Sequence, residues 1–141
     1  MTDAVIDSSV VAKWVLPEAD SAQAQKVLTD VVTSGGRLLV LDLALPKVAN
    51  SIWKRVHRRL ISVSEARAFL QMLLRMPVDL QPAAAILTFA LDIASTHDRS
   101  IYDALFVAFA HQSGLKGVTA DEPLFNAVHN DFPEIVLLRN W

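Results

Sequence analysis

The sequence predicts an α/β fold, a single domain in which a five-stranded parallel sheet is sandwiched by helices. Short apolar runs alternate with longer helical runs along the 141 residues, and this alternation is typical of βαβ units with right-handed crossovers. The chain is also 52% hydrophobic, as expected when parallel strands are covered on both faces and read as continuous apolar runs. Its length suits one domain over residues 1–141 and is short for two.

Each element is predicted from a run of uniform character that turn residues separate from the next. The first half of the chain contains, in order, strand Ala4–Ile6, helices Val10–Leu16 and Asp20–Thr33, the turn Ser34-Gly35-Gly36, strand Leu38–Leu41, and helices Leu45–Arg59 and Ser64–Arg75. After the turn Met76-Pro77 follow strand Val78–Leu80, the turn Gln81-Pro82, helices Ala83–His97 and Ile101–Ser113, strand Gly117–Thr119, helix Glu122–Val128, the turn Asp131-Phe132-Pro133 and strand Ile135–Leu138.

The composition excludes several classes of protein. No apolar stretch reaches the roughly 18 residues that a membrane span needs, and the most helix-like one, Ala83–Ala94, contains Asp92. Asp3 and Asp7 stand where a signal peptide would carry a basic and then an apolar segment. The chain has no cysteine, which excludes disulfides, thiolate metal sites and catalytic thiols. We therefore expect a cytoplasmic protein with no membrane partner.

The net charge of −2 conceals an uneven distribution of charge. Residues 44–60 contain no acid, one histidine (His57) and five basic residues, which are Lys47, Lys54, Arg55, Arg58 and Arg59. A basic segment set apart from the carboxylates suggests an anionic substrate that one region holds and the other processes. A solvated helix face is the alternative interpretation.

Three aspartates are predicted to meet at one edge of the sheet. Asp7 and Asp121 stand at the carboxyl ends of the first and fourth strands, and Asp103 lies in the first turn of the helix that leads into the fourth. Ligand sites of open parallel sheets form at this edge. Each acid also has a structural interpretation, because Asp7 and Asp121 are suitable N-caps and Ser100 with Asp103 has the spacing of a capping box.

Clustered carboxylates favour a bound cation. They raise one another's pKa unless a positive charge compensates. Mg²⁺ and Mn²⁺ prefer hard oxygen ligands and keep bound waters for chemistry. The convergence of the three acids therefore predicts a divalent cation site, and we interpret Asp7 as a metal ligand that also caps a helix.

Four short motifs occur in an order and spacing typical of one family. They are Val5-Ile6-Asp7-Ser8-Ser9-Val10 with Lys13-Trp14, Val48-Ala49-Asn50, Tyr102-Asp103-Ala104-Leu105 with Ala108, and Thr119-Ala120-Asp121 with Leu124. On these residues the chain resembles, nearly from end to end, a PIN domain, and in particular the VapC-type ribonuclease toxins of prokaryotic toxin–antitoxin pairs. The resemblance implies a sheet of order 3-2-1-4-5 and endonucleolytic cleavage of RNA that depends on Mg²⁺ or Mn²⁺.

The resemblance also implies roles for single residues. Asp7, Asp103 and Asp121 fall on acidic positions of the family motif and become the catalytic residues and metal ligands. Ser8, Asn50 and Thr119 are expected to support them. The basic segment is expected to guide RNA through Lys54, Arg55 and Arg58. Tyr102 is interpreted as a packed ring rather than as a platform for a base.

The resemblance implies two partners besides RNA. The family's toxins commonly form homodimers, and an antitoxin that covers the pocket keeps them inactive. The apolar surplus of this chain, including Trp14 and Trp53, is consistent with contact area beyond one core.

One motif departs from the family pattern. Where the family has an acid three residues before Asn50, this chain has Lys47, and helical periodicity directs that side chain to the pocket. Three alternatives follow: a weakly active metal site, a lysine that replaces a cation and contacts phosphate, or a catalytically silent PIN fold that only binds. Asp42 and Glu122 are weaker candidates for a substitute acid.

Overall fold

Within residues 2–141, five parallel strands form one sheet whose first strand is central. The protein is described by a computed structural model over residues 2–141. Its strands are β1 (Ala4–Ile6), β2 (Leu38–Leu41), β3 (Val78–Gln81), β4 (Gly117–Thr119) and β5 (Ile135–Leu137). They lie in the order β3-β2-β1-β4-β5. The predicted α/β class and the strand order 3-2-1-4-5 are confirmed.

In the described part of the chain, seven α-helices connect and cover the strands. They are α1 (Ser8–Val15), α2 (Ser21–Thr33), α3 (Ala44–His57), α4 (Val63–Leu74), α5 (Leu87–His97), α6 (Ile101–Ser113) and α7 (Glu122–Val128), with short 3-10 turns at Ala84–Ile86 and Leu138–Asn140. The first helix begins two residues earlier than predicted, because the side chain of Asp7 accepts the Ser8 N–H and caps it there. None of the helices within residues 2–141 is both long enough and apolar enough to cross a membrane.

The central strand is buried on both faces, as its continuous apolar run indicates. Ala4 and Ile6 pack in a cluster with residues of α1 to α4, whereas Val5 packs in a second cluster with residues of α5 to α7. All three side chains are at most 2% exposed. Successive side chains of a strand point to opposite faces, so each helical layer shields one set from water.

The register of the strands brings two chain segments level at one edge. Ile6 of β1 pairs with Val118 of β4, and the N–H of Asp7 donates to the Val118 carbonyl at 3.0 Å. Helix α6 lies so close to β4 that a Cβ at Gly117 would stand 2.9 Å from the Cβ of Ala110. The residues that follow β1 and β4 therefore share the edge at which α6 begins.

The two tryptophans of the sequence prediction differ in environment. Trp14 is buried, and its indole N–H donates to the Ala24 carbonyl at 2.8 Å. Trp53 is 56% exposed and stacks on His57 with ring centroids 5.1 Å apart. Only Trp53 of this pair therefore offers apolar area to a partner.

Candidate active site

Asp7 is the buried acid at the centre of the candidate site. Its Oδ1 accepts the Ser8 N–H at 2.9 Å, and its Oδ2 accepts the hydroxyls of Ser9 at 2.7 Å and Thr119 at 2.8 Å. Burial raises the pKa of Asp7, because an ionised carboxylate is poorly solvated there, while the two hydroxyl bonds oppose that rise. Asp7 is thus both the N-cap of α1 and a carboxylate held in one orientation.

The same two hydroxyls connect Asp7 to the segment after β4. Thr119 Oγ1 accepts the Asp121 N–H at 3.0 Å, and Ser9 Oγ accepts the Ala120 N–H at 2.9 Å. Ser9 was not among the predicted site residues; Ser8 was, and it contributes its backbone N–H to Asp7. The role of Ser9 could be predicted from its position in the first turn of a helix that Asp7 caps, because a hydroxyl there can reach the capping carboxylate.

Lys47 is directed towards Asp7, as helical periodicity predicts. Its Nζ lies 5.7 Å from the centroid of the Tyr102 ring, and its charge acts to lower the pKa of Asp7. Tyr102 is 59% exposed, so the prediction of a packed ring is wrong. The ring lies in the first turn of α6 at the edge of the sheet, where a cation–π contact with the ammonium takes the place of core packing.

Asp103 is paired with a cation that the sequence prediction missed. A terminal nitrogen of Arg99 lies 3.3 Å from Asp103 Oδ2, and the buried Arg99 Nε has no hydrogen-bond partner among the described residues. Ser100 Oγ accepts the Asp103 N–H at 3.1 Å, so Ser100 caps α6. The signal for Arg99 is its spacing four residues before Asp103, which places the two side chains one turn apart.

Asp121 caps α7 and lines a cleft. Its Oδ1 accepts the Leu124 N–H at 3.0 Å. Two clefts lie beside Asp7, and Asp121 lines the larger one. Within residues 2–141 no three Asp, Glu or His side chains come together as ligands of a single ion. The joint metal site of Asp7, Asp103 and Asp121 stays a prediction.

The larger cleft has a volume of about 290 Å³, close to the smallest small-molecule sites. Helices α1 and α3, the α1–α2 connection and the segment after β4 line it, through Ser8, Ser9, Ala12, Lys13, Glu18, Lys47, Val48, Ser51, Ala120 and Asp121. A second, smaller cleft contains Asp7 and Tyr102, and Ser8 and Lys47 line both. Asn50 is exposed and lines neither.

The predicted RNA-binding residues continue one side of α3 beyond the larger cleft. Lys54 and Arg58 are exposed and lie seven and eleven residues after Lys47, which is close to two and three helical turns. Arg55 is half-buried, and a terminal nitrogen of its guanidinium lies 3.4 Å from Glu18 Oε2. The basic side of α3 is therefore open at Lys54 and Arg58 and ion-paired at Arg55.

The two candidates for a substitute acid lie elsewhere. Asp42 Oδ1 accepts the Ala83 N–H at 3.3 Å, and Glu122 forms an ion pair with Arg139 at 3.1 Å. Neither lines the two clefts beside Asp7.

Comparison with known proteins identifies the family of the chain. The sequence matches the PIN domain family over residues 4–129. It is 34% identical over 122 residues to Ribonuclease VapC3 of Pyrobaculum aerophilum, covering 85% of this chain and 90% of that protein. The fold is similar to the crystal structure of PAE2754 from Pyrobaculum aerophilum (TM-score 0.75, 19% identity, 99% of this chain and 85% of that one). It is also similar to a toxin–antitoxin complex from Klebsiella pneumoniae (TM-score 0.66, 11% identity, 96% and 98%). The chain therefore belongs to the PIN-domain family, as a member of the VapC type.

Proposed function

We propose that this protein is a metal-dependent endoribonuclease, the toxin of a toxin–antitoxin pair, with Asp7, Asp103 and Asp121 as its catalytic carboxylates. The observation that carries the proposal is Asp7 itself. It is buried at the carboxyl end of a central parallel strand, oriented by Ser9 and Thr119, in a chain 34% identical to a protein named as a ribonuclease.

The donor set suits a hard divalent cation. PIN nucleases generally depend on such an ion, and carboxylate oxygens are the ligands that Mg²⁺ and Mn²⁺ prefer. Among the described residues Asp7 Oδ1 accepts one hydrogen bond, so it keeps a lone pair for an ion. We propose Mg²⁺ or Mn²⁺ as the cofactor and the three aspartates as its ligands.

The chain's own residues divide the remaining tasks. Ser9 and Thr119 hold the Asp7 carboxylate, and Arg99 holds that of Asp103. Lys47 is half-buried and lines both clefts, where its charge acts on Asp7 in competition with a metal ion. When bound, the ion supplies a water of lowered pKa and neutralises charge on the phosphate.

The proposed partners follow from the family. The fold similarity to the Klebsiella pneumoniae toxin–antitoxin complex supports a cognate antitoxin, and the exposed Trp53 is consistent with a homodimer. Lys54, Arg55 and Arg58 are proposed to guide RNA towards the cleft. A cytoplasmic location, where RNA is available, completes the proposal.

A PIN-fold protein that binds without cleaving is the second candidate. Two positive side chains favour it: Lys47 acts on Asp7, and Arg99 is paired with Asp103. Both partly neutralise the acids that a metal ion would otherwise compensate, so metal binding must compete with them.

Cleavage of a labelled RNA by wild type and by Asp7→Asn, with Mn²⁺ and with EDTA, tests the proposal. We expect wild-type cleavage that EDTA abolishes and that Asp7→Asn lowers by about a hundredfold or more. Asp92→Asn removes an equal charge from the exposed side of α5 and should cleave like wild type. Wild-type protein that binds RNA but cleaves none at any Mn²⁺ concentration would establish the second candidate instead.

A further inference from the structure

Lys13 and Glu18 of the larger cleft form an ion-pair bridge with Arg55, which lies outside the lining of that cleft. Glu18 lies in the connection between α1 and α2. Its Oε2 is 3.4 Å from a terminal nitrogen of Arg55, and its Oε1 is 3.9 Å from Lys13 Nζ. Lys13 belongs to α1 and Arg55 to α3, so one carboxylate joins the two helices that contribute residues to the cleft.

Both cations of the bridge are held in place before any ligand arrives. The side chain of Lys13 is 14% exposed, and its Nζ donates to the Ala19 carbonyl at 2.7 Å. That of Arg55 is 26% exposed. Because an ammonium has three donors, the bond to Ala19 leaves Lys13 able to donate to an anion. The cations are thus partly desolvated and ordered, which lowers the cost of binding an anion there.

The chemistry of the bridge is that of a phosphate site occupied by a carboxylate. A guanidinium with a neighbouring ammonium recognises carboxylate and phosphate oxygens by the same charge-assisted hydrogen bonds. Lys13 follows Ser9 by four residues on α1, a rise of about 6 Å, and Ser9 contacts Asp7. A strand of RNA with one phosphate at Asp7 would therefore carry a neighbouring phosphate towards Lys13.

We propose that Lys13 and Arg55 form a phosphate subsite for the RNA nucleotide next to the one being cleaved, and that Glu18 occupies this subsite until RNA displaces it. The inference rests on the proposed function and names a contact within that site. Partly exposed ion pairs contribute little to stability, so Glu18 can be displaced. Its charge meanwhile disfavours polyanions that cannot reach both cations at once.

The test is RNA binding by Glu18→Gln, measured by fluorescence anisotropy with a labelled single-stranded oligonucleotide of mixed sequence in EDTA. We expect binding roughly two- to fivefold tighter than wild type, since the competing ion pair is lost. The slope of log affinity against log salt should change little, because RNA that has displaced Glu18 contacts the same phosphates in wild type as in the variant. Asp92→Asn is the control for the change of net charge and should leave both quantities unchanged.

Arg55→Gln tests the same subsite from its α3 side. It should weaken RNA binding, and combining it with Glu18→Gln should remove the gain of the single variant. The proposal is overturned if Glu18→Gln binds RNA as wild type does, or more weakly; a lower thermal midpoint with weaker binding would show a structural clamp. If Glu18→Gln does not bind RNA more tightly but wild type still cleaves RNA, the subsite is wrong and the proposed function stands. If wild type does not bind RNA at all, the subsite and the proposed function are both wrong.

Discussion

The hydroxyl of Thr119 donates a hydrogen bond of 2.8 Å to Oδ2 of Asp7, and it does so from a side chain that is entirely buried. The bond joins the ends of β1 and β4. Because Ser9 donates to the same oxygen, the carboxylate cannot rotate without breaking two hydrogen bonds. Ionisation of a buried carboxylate fixed in this way is expected to lower the free energy of unfolding, and that decrease can be measured.

The first prediction concerns pH and Asp7. Its pKa in the folded state is raised, first by burial, so its contribution to stability is present below the unfolded pKa and is lost as pH rises through the folded pKa. Asp7→Asn removes this loss and can still cap α1. In EDTA, we expect the variant to exceed wild type in the free energy of unfolding at neutral pH, with the difference shrinking on acidification. Urea unfolding across a pH series measures it.

Asp3→Asn is the control of opposite sign. The backbone N–H and the guanidinium of Arg37 lower the pKa of Asp3, so its contribution is present above the unfolded pKa and is lost as pH falls. This variant should therefore lose stability at neutral pH. An Asp7→Asn variant that is less stable than wild type at neutral pH, by an amount that grows with pH, would contradict the account of Asp7.

The second prediction concerns the three carboxylates as one metal site. Calorimetry with Mn²⁺ should show binding that Asp103→Asn and Asp121→Asn each weaken by tenfold or more, about 1.4 kcal/mol. Asparagine retains the N-cap that Asp121 forms on α7, so the helix should be preserved. Asp42→Asn, at the end of β2, serves as control and should bind as wild type does. Unchanged affinity in both site variants would exclude a shared site.

The third prediction concerns the basic side of α3. Replacing Lys54 and Arg58 with alanine should weaken RNA binding and lower the slope of log affinity against log salt by roughly 1, since up to two phosphate contacts are lost. Lys26→Ala with Arg75→Ala removes the same charge from α2 and from the end of α4 and should change the slope little. If the two double variants behave alike, Lys54 and Arg58 form a solvated face.

The strand order and the positions of the acids are predictable because they depend on patterns of a few consecutive residues. Apolar runs bounded by turn residues locate β1 and β4, and an acid one or two residues after each strand must lie at the same edge of a parallel sheet. The family motifs add the order of the remaining strands. The caps formed by Asp7 and Asp121 are predictable for the same local reason.

The partners of the site residues are less predictable, because they depend on rotamers and on distances between elements. The bridge from Glu18 to Arg55 joins residues 37 apart, and no local pattern indicates it. Tyr102 shows the same limit: its apolar ring favours burial, but its position in the first turn of α6 leaves it exposed beneath Lys47.

The fourth prediction concerns assembly. We expect sedimentation to show a dimer at tens of micromolar protein. Trp53, Val63 and Leu70 line an apolar groove of about 260 Å³ between α3 and α4, and burying such area drives association. Trp53→Ser should shift the protein towards monomer, whereas Leu91→Ser, on exposed α5, should not. A wild-type monomer at these concentrations would argue against the dimer.

The last prediction concerns Lys47. Its ammonium acts on Asp7 at a position where the family has an acid. A pair of unit charges about 4 Å apart interacts by around 4 kcal/mol at an effective dielectric constant of 20. Exchanging the lysine for glutamate therefore favours a bound divalent ion by a large amount in principle, and reorientation of the flexible lysine stem reduces it. For Lys47→Glu we expect Mn²⁺ affinity to rise by about tenfold and RNA cleavage to become faster.

If Lys47 weakens metal binding, the cleavage rate depends on Mn²⁺ concentration in one way. If Lys47 replaces the metal ion, it depends on Mn²⁺ in another. If Lys47 weakens metal binding, wild type needs more Mn²⁺ than Lys47→Glu to reach the same cleavage rate. Lys47→Gln, which only removes the charge, should need an intermediate Mn²⁺ concentration. A replacing Lys47 would instead let wild type cleave RNA at low Mn²⁺ and make Lys47→Glu slower at every concentration. We expect the first pattern, because an ammonium contacts phosphate but cannot activate a water as a bound metal ion does. Lys54→Glu, which makes the same change of charge two turns further along α3, controls for general repulsion of RNA. The second pattern would show that this chain uses Lys47 in place of a cation.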